Sequence, residues 1–573
     1  MVRHHYRPQF KVIEHKSKNT QMKREVLIIV LLFCLAIFAV KDLFLPGGFT
    51  SHDLTHHIVR QIDMDSLLSE GQFPPRWSGE LNNGYGYPLF LFNYPLPAFL
   101  GEVFHKLGFS FVDCVKAVLF TSMILGELGM YLFLNSLLKS KMAAFLGGVF
   151  YLYAPIRFLN VYVSAAVGSA LALGILPFVF WSLVEISKGG RVKEKGLRWI
   201  LAGGLFFALL IVAHNVTALI FTPLLLTFTF FTEGRKESKR MFLILLLGLG
   251  LSAWFWLPAV FEKQYIRFDE IYSGFFKNQF VSIWQLLHSP WGYGLSHPQK
   301  PEPGDMSYQL GLIHIGVILV YGLWLMVYGK KNKDKMLGIF ALTTFFLSVF
   351  LMLKISEPVW ERLPFLSLVQ FPLRFQAISV FSASIAAGLL VKYLPWRKFI
   401  FIALLVLVIY ANRHHWKINE QFNPPPSYYL NLKTTATSYG EHLPKWGRLM
   451  DKSPISKLEF IKGVGRVQVI KDKSAGVLAE VEASTKASLR FNQFYFPGWQ
   501  VKVDDKLVHI DYLNQAENYG LPVFDVDAGK HFVLAEFKNT TDRNLADAVS
   551  VITVIIIMII ILSKILCKLL TRI

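Results

Sequence analysis

The chain has 573 residues; 53% are hydrophobic, only 17% are charged, and phenylalanine alone fills 50 positions. An ordinary soluble domain carries about 25% charged residues, so this composition excludes a disordered or collagen-like chain and argues against one large soluble enzyme, because apolar residues at this density need lipid as a second solvent. The formal charge of +20 would point to nucleic acid in a soluble protein; here its meaning depends on where the basic residues fall.

Residues 1–25 are polar and basic (Arg3, Arg7, Lys11, Lys16, Lys18, Lys23, Arg24). The apolar run Val26–Leu45 follows, and Pro46-Gly47-Gly48-Phe49 is a poor cleavage site, so the run reads as an uncleaved first transmembrane helix. A span needs about 20 mostly apolar residues. That predicts further spans at 87–107, 112–137, 167–186, 198–213, 216–233, 240–259, 310–328, 336–353, 373–391, 398–411 and 546–567, while 142–155 is apolar but short. Cys34, Cys114 and Cys567 lie in or beside apolar runs, which leaves no disulfide framework and no zinc spacing.

Lysine and arginine concentrate in the loops 187–198 (Lys188, Arg191, Lys193, Lys195, Arg198), 234–240 (Arg235, Lys236, Lys239, Arg240), 329–335 (Lys330, Lys331, Lys333, Lys335) and 392–398 (Lys392, Arg397, Lys398), in the N-terminus and in the tail (Lys564, Lys568, Arg572). Basic short loops stay cytoplasmic, and parity then gives about twelve crossings with both termini inside. The run 198–233 crosses twice, turning at His214-Asn215, and 142–155 is re-entrant or lies on the outer side. The alternative, in which 142–155 crosses and 198–233 is one helix, strands the basic 187–198 loop outside and is rejected. Four long segments face outward: 46–86, 260–309, 354–372 and 412–545. Loops of this kind carry function.

The last of these is long enough for a core of its own. Within 455–540 the sequence alternates as strands do: Phe494-Tyr495-Phe496-Pro497-Gly498-Trp499 leads to Val501 and Val503, turns at Asp504-Asp505, and returns through Leu507, Val508 and Ile510. A second hairpin is expected over Asp525–Phe537, turning at Ala528-Gly529. An antiparallel β-sandwich results, placed before the final helix. Its aromatics read first as core and second as a sugar-stacking face.

The stretch 51–97 is the densest in polar, aromatic, proline and glycine residues. It opens Ser51-His52-Asp53-Leu54-Thr55-His56-His57, passes Gly71-Gln72-Phe73-Pro74-Pro75-Arg76-Trp77 and Gly84-Tyr85-Gly86-Tyr87-Pro88, and ends Asn93-Tyr94-Pro95-Leu96-Pro97. If 52–70 is a short helix, His52/His56 and Asp53/His57 are i,i+4 pairs on adjoining faces. That spacing permits a divalent metal on His52 and His56, a general base at Asp53 beside a histidine, or only a helix start whose dipole Asp53 complements.

These elements resemble the first outer loop of GT-C type membrane glycosyltransferases, in particular the bacterial YfhO-like proteins and the membrane proteins catalogued as 6-pyruvoyl-tetrahydropterin synthase-related. The resemblance extends through His214-Asn215, Leu257-Pro258-Ala259, Ser289-Pro290-Trp291-Gly292, Tyr308-Gln309-Leu310-Gly311, Gln370-Phe371-Pro372-Leu373-Arg374-Phe375, Glu441-His442-Leu443-Pro444 and Pro497-Gly498-Trp499. It implies a GT-C-like transmembrane domain over 26–411, an extracytoplasmic β-rich domain over 412–545, and a final helix with a basic tail over 546–573. It also implies a plasma-membrane enzyme that moves a sugar from a polyprenyl-phosphate donor to a glycan, lipid or protein acceptor on the outer face, with inversion. Asp53 is then the catalytic base and His56 its partner. Arg374 and Arg76 are candidates to hold the donor phosphate, since guanidinium suits bidentate phosphate contact. His57, Trp77, Tyr85, Tyr87, His214, Asn215, Gln370 and Glu441 are cavity candidates. No cofactor is implied beyond a possible divalent ion, and no nucleic acid is needed.

One departure stands against that pattern. An arginine and a second acid are expected after the Tyr-x-Pro step, where this chain has Ser164 and Ser169. Within the spans, Glu127, Glu102, His105 and His214 read as interhelical hydrogen-bonding groups, although buried ionisable residues are often functional. Two rivals remain: a lipid-linked glycan flippase, against which this sequence shows no inverted repeat with paired broken helices, and a non-catalytic glycan-binding or assembly scaffold, which the Ser164/Ser169 departure favours.

Overall fold

The computed structural model describes residues 7–188, 193–233, 235–329, 333–514, 518 and 520–570. Of the basic residues that orient the chain, Arg3, Arg191, Lys330, Lys331 and Arg572 lie outside these. The molecule is a mostly helical membrane protein with a β-sheet domain inserted before the last helix. Among the described residues seven helices are long and apolar enough to cross a bilayer, and two bent pairs raise the number to nine. Helices Arg7–Ala39, Leu312–Tyr328 and Arg397–Ala411 occupy further positions where spans are expected.

The bundle is built around helix Gln376–Tyr393, whose residues 376–391 are all buried. Small residues make that possible. Gly147 lies against the Ser384 carbonyl and Gly388 against that of Ala143, and a Cβ at Gly147 would stand 2.9 Å from that oxygen. Backbones that approach this closely replace the hydrophobic drive that lipid does not supply. Hydrogen bonds between Ser379 and Ser348 (2.7 Å) and between Ser382 and Thr344 (2.8 Å) add polar ties between helices.

The double crossing expected over 198–233 is present as two helices, Lys193–Ala213 and Asn215–Phe228, broken at His214. His214 Nδ1 accepts from Thr217 N at 3.1 Å and so caps the second helix.

Two segments exchange roles relative to the sequence expectation. The predicted span 87–107 is not one helix. Pro88 and Asn93-Tyr94-Pro95 divide it into Leu89–Phe92 and Leu96–Lys106. The second piece has 11 residues, about 16 Å of helix, half of what a bilayer core of about 30 Å requires. The segment 142–155, read as too short, continues through 163: Lys141–Leu152 and Pro155–Val163 form a bent pair, 49° at the break, that is together long and apolar enough to span. Proline at the start of the second piece lets the helix resume after the break. Helix Phe111–Leu138 therefore runs opposite to the expected direction. The turn at its end lies beside the start of the first span, where Lys141 pairs with Glu25 at 2.5 Å and Tyr131 donates to Glu25 at 2.8 Å.

In the β domain strands are numbered from the short pair β1 (Gly48–Phe49) and β2 (Gln421–Phe422), which join the first loop to the segment after helix Arg397–Ala411. The sandwich proper comprises β3 (Leu458–Lys462), β4 (Gly465–Lys473), β5 (Gly476–Ala483), β6 (Ala487–Phe491), β7 (Trp499–Val503), β8 (Lys506–Leu507), β9 (Val523–Val526) and β10 (Gly529–Phe537). One antiparallel sheet has the order β4-β5-β10-β7-β8, the other β3-β6-β9. The β7–β8 hairpin turns at Asp504-Asp505 as expected, both residues having positive φ, as a two-residue hairpin loop demands. The second expected hairpin, Asp525–Phe537, is not formed. β9 pairs with β6 and β10 with β5 and β7, so the chain crosses between sheets at 527–528. Alternation marks each strand but does not say which sheet it joins.

The aromatics of the β domain pack as core, the first of the two readings, rather than as a sugar-stacking face: Phe494, Phe496 and Trp499 are buried. Trp77 from the first loop joins them, donating to Gln493 Oε1 at 2.7 Å and meeting the Trp499 ring edge-on at 5.5 Å. The last helix begins at Thr541 and is anchored by Arg543, which donates to Glu262 Oε2 at 2.8 Å in a fully buried ion pair.

Candidate functional site

The first-loop helix expected over 52–70 forms over Leu54–Ser69, with Asp53 at its N-cap, so His52 precedes the helix. The carboxylate of Asp53 does not cap the helix; Ser51 Oγ accepts from Leu54 N instead, at 3.1 Å. An N-cap aspartate normally spends an oxygen on the helix, so this one is left for other partners. The helix start is fixed from outside. His52 N and Asp53 N donate to the carbonyls of Val163 and Ser164, both at 3.0 Å.

Asp53 opens into a cavity of about 570 Å³. Three groups of segments line it. Spanning helices contribute an apolar wall that includes Leu173, Ile220 and Phe221, together with His214 and Asn215 at the break between two of them. The turn before the central helix contributes Gln370, Phe371 and Arg374; the segments 268–297 and 438–442 contribute Tyr272, Phe275, Tyr439 and Glu441 among others. Of the candidates named from sequence, Asp53, His52, His214, Asn215, Gln370, Arg374 and Glu441 thus meet at one cavity. Ser164 and Ser169 line it too.

Arg374 is held in place from one side. Its Nη1 donates to the Val369 carbonyl at 2.8 Å and to Gln370 Oε1 at 3.0 Å, and its guanidinium lies over the Phe371 ring. Gln370 has φ +65°, a left-handed conformation that a non-glycine residue holds only where its surroundings enforce it. The remaining face of the guanidinium looks onto the cavity.

Sequence reasoning missed Arg60. It lies seven residues after Asp53, two helical turns along the same face, and that spacing was the available signal. Its Nε and Nη2 both donate to the Ala436 carbonyl, at 2.9 and 2.7 Å, and Nη1 stands 3.5 Å from His57 Nδ1. Arg60 also sets the local electrostatics. Burial raises the Asp53 carboxyl above the usual carboxylate range and the negative charge of Glu441 adds to this, while Arg60, His56 and His52 act against it. Burial lowers His56, and Arg60 lowers it further. His57 is pushed well down by burial and then by Arg60, so it is neutral. Burial likewise brings His442 down to about 4.

Several expected site residues are elsewhere. Arg76 does not reach the cavity; its Nη2 donates to Asp547 of the last helix at 2.5 Å. Trp77 and Tyr85 belong to the core shared with the β domain. Tyr87 is buried, bonds Thr437 Oγ1 at 2.9 Å and accepts from His442 N at 2.8 Å, so it supports the cavity wall from behind. His57 is buried behind Arg60, and His56 is not among the lining residues. The physical reason is that the Pro-Pro-Arg-Trp element turns from the helix toward the β domain, carrying its side chains with it. Glu102 accepts from Gln61 Nε2 at 3.2 Å and pairs with Lys106 at 2.9 Å, and His105 Nδ1 donates to the Phe109 carbonyl at 3.0 Å, both structural ties. Glu127 is buried within the bundle, beside Arg157.

For the metal pair His52 and His56, the observed bonds are unfavourable on one member. His52 Nε2 faces the carbonyls of Tyr293 (3.2 Å) and Gly294 (2.9 Å), so that nitrogen carries a proton and is not a ligand. Among the described residues, one group gathers three ligand-type atoms within 4.8 Å: His297, Glu302 and Asp305. His297 Nδ1 and Asp305 Oδ1 already bond each other at 3.1 Å, and Asp305 Oδ2 accepts from Glu302 N at 2.8 Å.

Residues 91–418 match the family model described as 6-pyruvoyl-tetrahydropterin synthase related domain, membrane protein. An uncharacterized protein of Lactococcus lactis subsp. cremoris (strain MG1363) is 25% identical over 249 residues, which cover 41% of this chain and 39% of that one. Among solved structures, the chain is similar to ArnT from Cupriavidus metallidurans bound to undecaprenyl phosphate (15% identity, 66% of this chain and 61% of that one, TM-score 0.38). It is also similar to the Archaeoglobus fulgidus oligosaccharyltransferase in its apo form (10% identity, 73% and 61%, TM-score 0.43). A third likeness is to the arabinofuranosyltransferase AftD from Mycobacteria (11% identity, 70% and 28%, TM-score 0.46).

Proposed function

This chain belongs to the family of 6-pyruvoyl-tetrahydropterin synthase related membrane proteins, and from that premise we propose that it is a GT-C type glycosyltransferase using a polyprenyl-phosphate-linked sugar. The observation that carries the reading is the uncapped carboxylate of Asp53, which shares one cavity with Arg374 and Arg60 beside an apolar wall of spanning helices. A lipid phosphate has that division of character: a prenyl chain for the helices and a phosphate for guanidinium groups.

In the proposed reaction Asp53 accepts the proton of an acceptor hydroxyl while that oxygen attacks the anomeric carbon. The bond from that carbon to the phosphate oxygen breaks, and the electron pair leaves with the lipid phosphate. Attack and departure on opposite faces invert the anomeric centre. Arg374 stabilises the charge that gathers on the phosphate, as a fixed donor does for a developing oxyanion. Arg60 opposes the upward push that burial and the charge of Glu441 give the Asp53 carboxyl. Glu441 supplies the second acid of the site, in place of the acid expected near Ser169, although it is far away in sequence.

The proposed topology has twelve spans with both termini cytoplasmic, and with the cavity and the β domain on the outer face of the plasma membrane. Purified protein in lipid nanodiscs, given polyprenyl-phosphate sugars, is expected to release polyprenyl phosphate. Asp53→Asn is expected to lower the rate by about 10²–10⁴, the usual worth of a general base. Equal release by both proteins contradicts the assignment.

A further inference from the structure

One wall of the cavity is aromatic. Phe268, Tyr272, Phe275, Phe371 and Tyr439 all line it, although they come from three separate segments. Their rings form a continuous chain: Phe268 to Tyr272 at 4.9 Å, Tyr272 to Phe275 at 5.4 Å, Phe275 to Phe371 at 5.2 Å, and Tyr439 to both Tyr272 and Phe275 at 6.3 Å. This is not a closed core, because Tyr439 is 54% exposed and the other rings are half-buried.

Polar groups stand at both ends of this shelf. At one end Glu441 receives the Tyr272 hydroxyl at 3.5 Å and Tyr439 N at 3.3 Å. Both bonds are long, so the carboxylate keeps acceptor capacity. At the other end Phe371 lies under Arg374. Asn93 lines the same cavity while 7% exposed, and its Oδ1 has no hydrogen-bond partner. A buried amide oxygen without a donor is costly unless a ligand supplies one.

We propose that this shelf is the acceptor subsite and that the acceptor is a carbohydrate. The proposal rests on the transferase reading of the cavity and narrows it. A pyranose has an apolar face of axial C–H groups, which the negative faces of aromatic rings attract, and an equatorial rim of hydroxyls, which Glu441 and Asn93 accept. A lipid acceptor would call for an aliphatic groove here, and a peptide for backbone partners along an exposed strand edge. The aromatic wall continues to Arg374, and Glu441 and Asp53 line the same cavity. A sugar seated on the shelf therefore presents a hydroxyl between the base and the donor.

Binding is tested without turnover by saturation-transfer NMR on the full chain in nanodiscs, with the methyl glycosides of glucose, mannose, galactose and N-acetylglucosamine as probes. The expected result is transfer to the ring C–H protons of at least one glycoside. Its affinity should fall about five- to tenfold in Tyr439→Ala and in Phe275→Leu. Tyr439 is exposed enough for its truncation to leave folding intact, and Phe275→Leu keeps apolar volume while removing the ring. Absence of binding by every probe, or binding indifferent to both substitutions, overturns the proposal. Release of lipid phosphate with transfer of the sugar to a non-saccharide acceptor overturns the subsite while leaving the transferase reading standing. Saccharide binding on the shelf with no release from any donor leaves a saccharide site there but removes the transferase reading, and with it the acceptor role.

Discussion

In the proposed reaction Asp53 is the residue on which the chemistry turns, and its surroundings fix how it responds to pH. A general base acts when ionised, so the rate falls as pH drops through the carboxyl's own pKa, which burial and Glu441 hold above the ordinary carboxylate range. Glu441→Gln removes a negative charge from that environment. The acid limb of the pH–rate profile is therefore expected to move to lower pH, and an unmoved limb would show that the two carboxyls do not interact. Asp63 offers a separate check, on stability. It is buried, accepts from Ser78 Oγ at 2.5 Å, and is raised to about 7, chiefly by burial. Its folded-state value exceeds the unfolded one, so the stability it contributes is complete below about pH 4 and is lost as pH rises to about 7. Asp63→Asn does not ionise; measured against pH, its Tm is expected to gain on wild type across that window. At this scale the sequence was partly legible. Asp53, His214 and Arg374 could be found because unusual residues crowd short motifs beside spans. Tyr272, Phe275 and Tyr439 could not, because three segments remote in sequence meet only when the cavity closes.

Two elements show where local pattern stops. The Pro-Pro-Arg-Trp element was readable as important but not as to which neighbour it served, since adjacency to the helix that follows Asp53 does not set the direction of a turn. Arg76 and Trp77 instead fasten the first loop to the last helix and to the β domain. Arg76→Met is accordingly expected to lower the Tm while leaving kcat unchanged; Arg374→Met should show the reverse, an unchanged Tm with kcat lowered on the order of 10²-fold, the scale of one lost oxyanion contact. Trp77→Ala is expected to cost about 3–5 kcal/mol, as large-to-small changes in a packed core do, and to be read as earlier thermal release of the β domain to protease. The other element is 87–107. Hydropathy alone made it a span, whereas Pro88, Pro95 and Pro97 cut its hydrogen-bond ladder, and 141–163 is together long and apolar enough to cross in its place despite its bend.

For the whole molecule, the exchange of those two segments keeps the expected parity but reverses helix Phe111–Leu138. The basic excess then also includes Lys139 and Lys141, which the expectation placed outside and the structure sets at the Glu25 end of the first helix. In a variant lacking Cys34, Cys114 and Cys567, a cysteine at Phe109 is expected to react with a membrane-impermeant maleimide added to intact cells, and one at Lys139 only after permeabilisation. The opposite pattern would restore the original direction. Fold class was legible at this scale because composition and hydropathy are global; the pairing of strands and the turn of the first loop depend on tertiary partners. The most direct test of the central claim remains turnover by the purified chain with polyprenyl-phosphate sugars. The account predicts release of polyprenyl phosphate by wild type and its loss in Asp53→Asn with the fold intact. Release that is the same in both proteins would contradict it.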